Sequence, residues 1–161
     1  MKEVIYQRDK VVSYARKWAL KRNPKYYDFS AIGGDCTNFV SQCVYAGCRI
    51  MNYNLFSGWF YTSPSLRAPA WSGVDEFYNF ATTNKSVGFY AETVSIDKIM
   101  VGDVIQLGNS KSDFYHALIV TKIDVNEIYV CSHSVDRLDF PLSYFNAKII
   151  RPLHVIGARD G

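Results

Sequence analysis

Apolar residues recur at helical spacing in the first half of the chain and cluster into short β-rich runs in the second. Val11, Tyr14, Ala15, Trp18 and Ala19 share one side of a predicted helix over 8–22, with Asp9 placed to cap its start. Asn23-Pro24 ends it, because a residue before proline is pushed out of the helical region. A loop follows, closed by Gly33-Gly34. The second predicted helix opens at Asp35-Cys36. Cys36, Phe39, Val40, Cys43 and Val44 form its buried stripe, and Gly47 is the residue expected to end it.

From 49 to 72 no period is clean, and Gly58, Pro64 and Pro69 break the pattern. So long an irregular stretch in a compact fold tends to be functional or mobile. Ser72 is then placed to cap a third helix, with Asp75 three positions on and Val74, Phe77, Tyr78 and Ala81 on its apolar side. The β-rich runs lie at 103–107, 116–123, 128–132 and 149–156, split by Gly108-Asn109-Ser110, Asp124-Val125-Asn126 and Pro141. Helices first and an antiparallel sheet after predict an α+β fold, as one domain over 1–161.

Composition narrows the function classes. A chain of 161 residues, 48% hydrophobic and 20% charged, suits one globular unit burying roughly two-thirds of its unfolded surface. A net charge of +3, without a basic block, gives no ground for a nucleic-acid partner. Apolar runs such as 117–120 fall far short of the ~20 residues of a transmembrane helix. Residues 1–8 soon meet charges, so no signal peptide is predicted. Cys36, Cys43, Cys48 and Cys131 lack C-x-x-C spacing, which argues against a zinc site, and a chain this long has no need of a disulfide scaffold. No metal or organic cofactor is expected. Twelve Tyr, ten Phe and three Trp, many between 53 and 90, fit either a core or a substrate groove; core is the simpler expectation for most, while the Trp59-Phe60-Tyr61 cluster and Trp71 suit either equally.

One cysteine stands apart. Cys36 follows two glycines and an aspartate at a predicted helix start, where free N–H groups and the helix dipole favour a negative sulfur. The plain alternative is a small buried hydrophobe, the reading that suits Cys43. A nucleophilic thiol needs a base, and His116 opens an apolar strand where a side chain can leave the sheet. A hairpin about Asp124-Val125-Asn126 brings 132–135 beside 116, so His133 is the expected orienter of the His116 ring. Ser132, Ser134 and Asp136 stay open as alternatives, because register decides which face each takes. Asp35 reads as a helix cap, Asn38 and Gln42 as site-shaping or loop-bonding residues, and His154 as structural.

The run Gly33-Gly34-Asp35-Cys36-Thr37-Asn38-Phe39-Val40-Ser41-Gln42 resembles the putative cysteine amidase domain family. So do 102–106, the strand opened by His116, and Ser132-His133-Ser134-Val135-Asp136; the likeness extends from about 6 to 152. That family is similar to the NlpC-type and CHAP-type hydrolases of the papain-like superfamily. The resemblance implies a helix bearing Cys36 as nucleophile, packed on a small antiparallel sheet that carries His116 as base, with His133 third. Papain's oxyanion glutamine has no counterpart, since no glutamine precedes Cys36 after Gln7. The Cys36 N–H and Tyr27 are the substitutes considered.

The implied activity is amide-bond hydrolysis, with peptidoglycan or a peptide as substrate and a secreted or wall-associated setting. A non-catalytic binding module and a cysteine acyltransferase are the rival expectations, the latter sharing the first half-reaction.

Overall fold

The computed structural model describes residues 1–161. In chain order the strands are β1 (Lys2–Val4), β2 (Tyr61–Ser63), β3 (Leu66–Arg67), β4 (Gly88–Thr93), β5 (Val104–Ser110), β6 (Asp113–Ile123), β7 (Ile128–Ser132), β8 (Arg137–Pro141) and β9 (Ile149–Asp160). The helices are α1 (Arg8–Trp18), α2 (Cys36–Cys48), α3 (Pro69–Ser72) and α4 (Val74–Thr83). This is α+β architecture with an antiparallel main sheet in the order β1-β9-β5-β6-β7-β8, and β4 also pairs with β9. No helix is long and apolar enough to cross a membrane.

The sheet has two unlike faces. One packs against the helices: Phe39, Val40, Cys43 and Val44 of α2 meet Ala117, Ile119, Cys131, Leu153 and Val155 in the larger core cluster. The other carries Ile105, Leu107, Leu118, Val120 and Val130, with Leu142 and Phe145 packed over them. Successive residues of a strand point to opposite faces, so β6 divides cleanly: odd positions 117 and 119 toward the helices, even positions 118 and 120 away.

Helix α1 stops at Trp18, short of the expected 22. The Trp18 carbonyl, which a longer helix would offer to the Arg22 N–H, instead lies 2.8 Å from His133 Nε2. Asp9 does not cap α1; Gln7 holds that place without a side-chain bond. Gly47 does not end α2 either. The helix runs through Cys48, and Arg49 takes the left-handed cap at φ 60°. Gly47 serves packing: a Cβ there would come within 2.4 Å of Val11 Cγ2 and 2.8 Å of Tyr6 Cε1. Ser72 belongs to α3 and accepts a bond from Arg67, while Gly73 precedes α4.

The irregular stretch is mostly exposed or half-buried but sends its tryptophans into the core. Trp59, Phe60 and Trp71 are buried, and the Trp59 and Trp71 rings meet at 4.8 Å. Both indoles are satisfied, Trp59 Nε1–H by Ser41 Oγ and Trp71 Nε1–H by Asn38 Oδ1, each at 2.9 Å. Strand β5 continues through Gly108-Asn109-Ser110, the expected break, by register shifts against β6.

Candidate active site

Cys36 is the first residue of α2. The turn before it depends on two glycines in the left-handed region, Gly33 at φ 82° and Gly34 at φ 102°, which few side chains tolerate. Asp35 sits at the N-cap position, but its carboxylate does not cap the helix. Oδ1 instead accepts from the Phe29 N–H at 2.8 Å and from Asn38 Nδ2 at 2.9 Å. Oδ2 lies 2.6 Å from His133 Nδ1, and the Asp35 N–H donates to Ser134 Oγ at 2.7 Å. The nucleophile's lead-in is therefore tied to the preceding loop and to the segment after β7.

His133 is buried, stacked on Phe39 with ring centroids 4.1 Å apart. Beyond Asp35 and Trp18, its Nε2 has Arg22 Nη1 at 3.1 Å. Arg22 grips Asp136 through both terminal nitrogens, at 2.9 and 3.0 Å, and its Nε lies 3.2 Å from Asp28 and 3.7 Å from Asp35. The structure thus brings His133 to Asp35 and Arg22, with both ring nitrogens engaged there and no hydrogen bond to His116.

The thiol meets the sheet one residue past His116. The Ala117 and Thr37 N–H groups lie near enough to the Cys36 sulfur to favour its charged form, and Thr37 Oγ1 is 3.9 Å from it. Burial pushes the thiol above its ordinary value; those donors pull it down, and Asp35 raises it. Desolvation outweighs the helix start, so the resting sulfur holds its proton, contrary to the lowered value expected from sequence. The N–H of Cys36 donates to no protein group and faces the helix's positive end.

His116 is half-buried and makes no hydrogen bond to protein. Its alternation follows Leu118 rather than Ala117, and its ring lies 6.1 Å from the Phe145 ring. Burial holds the imidazole down at about 4, neutral across the physiological range. Sulfur and ring are not hydrogen-bonded, and the ring shares the Leu118 side of β6, away from the face that packs on α2.

Tyr27 is exposed, its ring edge on Phe29, and its hydroxyl bonds nothing in the structure. Its carbonyl accepts from Asn38 Nδ2 at 2.9 Å, so Asn38 ties this loop to α2. Gln42 Oε1 accepts from Tyr14 at 2.6 Å, away from the thiol. His154 lies 2.9 Å from buried Asp103, which also pairs with Arg8 at 2.7 Å, a structural cluster. Sequence reasoning missed Arg22, read as an ordinary last helical residue, and the Ala117 amide. No local spacing signals either one.

The geometry stands beside three comparisons. The model of the putative amidase domain family matches residues 5–156, so the chain belongs to that family. Two proteins of Bacillus subtilis (strain 168), both described as uncharacterized, are similar to it. YhbB is 37% identical over 126 residues, covering 74% of this chain and 38% of its own length. YjcM is 34% identical over 149 residues, covering 85% of this chain and 33% of its own. The chain thus spans little more than a third of the curated relatives it matches. No solved structure matches.

Proposed function

We propose that the chain is a single cysteine-dependent amidase domain of papain-like type, with Cys36 as nucleophile and His116 as base. The observation that carries this reading is the thiol at the first turn of α2, against the amide that follows His116, beside an unpaired backbone N–H. Membership of the amidase family supports the reaction class. The resemblance of the Cys36 motif to NlpC-type and CHAP-type hydrolases supports peptidoglycan as substrate.

In this reading the resting pair is neutral thiol and neutral imidazole. His116 turns toward the sulfur and takes its proton as sulfur attacks the carbonyl carbon. The Cys36 N–H stabilises the oxyanion at the helix start. On collapse the C–N bond breaks, His116 returns the proton to the leaving amine, and a thioester forms. Water, deprotonated by His116, then hydrolyses it to a carboxylic acid and free thiol. Replacing water by an amine gives the acyltransferase outcome. His133 is a positioning residue here, acting through Asp35 on the turn that presents Cys36.

A second reading, a binding module on the same scaffold, is favoured by one observation: sulfur and imidazole are not hydrogen-bonded. Incubation with purified peptidoglycan separates the two. The amidase reading predicts free amines released by the native chain and none by Cys36→Ala or His116→Ala. Wall binding without amine release by the native chain supports the module.

A further inference from the structure

A cavity of about 380 Å³ lies toward the far end of α2, lined by Gln42, Tyr45 and Arg49 of that region and by Lys25, Tyr26 and Tyr61. Tyr45 is nine residues beyond Cys36, ~13 Å along the axis and about half a turn around it. The cavity is thus a separate place from the thiol, and its argument does not depend on Cys36.

Its charged groups are all cationic. Lys25 and Arg49 line it without an ion-pair partner, and no carboxylate lines it. The Arg49 guanidinium lies over the Tyr45 ring, 4.5 Å from the centroid. Tyr61 Oη accepts from the Tyr27 N–H at 2.9 Å, which leaves its own proton to point elsewhere. Burial pushes the Tyr26 phenol up to about 12, so it stays a donor.

Gln42 is the decisive residue. The residue is only 4% exposed, and its amide Nε2 bonds no protein group and stays open to solvent. The amide's orientation is fixed by a relay: Asn23 Nδ2 donates to Tyr14 Oη at 3.0 Å, so the Tyr14 hydroxyl must donate onward to Gln42 Oε1. The free NH₂ is left toward the cavity that Gln42 lines.

We propose that this cavity binds a sugar-sized organic anion, its acidic group held by Arg49 and Lys25, an acceptor oxygen on the Gln42 amide, and its ring against the tyrosines. Carboxylate and phosphate share the chemistry that the cations recognise, and tyrosine faces suit the apolar face of a sugar ring.

Titration calorimetry of the full chain tests this with glucuronate, glucose 6-phosphate and glucose as probes. At least one anionic sugar is expected to bind about tenfold or more tightly than glucose, and which one identifies the acidic group. Arg49→Gln and Lys25→Gln, both at exposed positions that leave the fold intact, each weaken that binding severalfold. Gln42→Leu weakens it as well, in protein whose circular dichroism matches the native chain. Absence of binding by both anions, equal binding of glucose, or native affinity in Arg49→Gln overturns the proposal.

Discussion

His133 Nδ1 lies 2.6 Å from Oδ2 of Asp35, the residue that precedes the candidate nucleophile, and both side chains are buried. The pair joins the start of α2 to the end of β7. With Ser134 on the Asp35 amide and Arg22 spanning Asp28, Asp35 and Asp136, it fixes the turn that delivers Cys36.

Breaking this pair from one side is expected to cost more than softening it. His133→Ala strands a buried carboxylate and loses the stacking on Phe39, a loss of about 3–5 kcal/mol. Asp35→Asn keeps an acceptor for Phe29 and removes the charge, a smaller loss of about 1–3 kcal/mol. Urea unfolding measures both, and equal, near-zero effects would contradict the arrangement.

Gly47→Ala places a methyl group against Val11 and Tyr6 where α1 and α2 meet. Alanine is the better helix former, so an exposed site would gain stability; here the overlap is expected to destabilise by about 1–3 kcal/mol. The thermal midpoint decides the sign.

Stability should fall on acidification because of His116. Burial lowers its folded value to about 4 against an unfolded value near 6.5. Between those values the unfolded chain binds more protons. The contribution is therefore complete above about 6.5 and lost as pH falls through about 4. Its size is on the order of 3 kcal/mol. His116→Gln should flatten that part of the stability–pH curve, and an unchanged slope would contradict the burial argument.

Iodoacetamide should modify Cys36 before Cys43, Cys48 and Cys131, because Cys36 is partly exposed and the other three are buried. Its rate should still climb with pH above neutrality, since burial raises the thiol. Mass spectrometry of tryptic peptides follows both. A rate already at its plateau at pH 6 would reveal an ionised thiol instead.

Local signals survived into the structure better than distant ones. The stripe from Cys36 to Val44 and the glycines before it are encoded within a few residues, and α2 begins as expected. Strands β1, β4 and β8 escaped notice because each is short or pairs across long sequence distances, β1 with residues 158–160. The Trp18 carbonyl at the end of α1 meets a histidine more than a hundred residues away, a contact that no helix rule anticipates. At the site, β7 pairs antiparallel with β6 as the hairpin argument requires, with Cys131 opposite Ile119. The engagement of the His133 ring by Asp35 and Arg22 was hidden, since a buried network is legible only after the chain has folded.

The central claim is that Cys36 takes an acyl group from substrate with His116 as base. Intact-mass analysis of the chain mixed with p-nitrophenyl acetate, followed by peptide mapping, tests it most directly. The account predicts a transient acetyl adduct on the Cys36 peptide of the native chain, absent in Cys36→Ala and formed far more slowly in His116→Ala. An adduct forming equally fast without the imidazole, or residing on another residue, would contradict it.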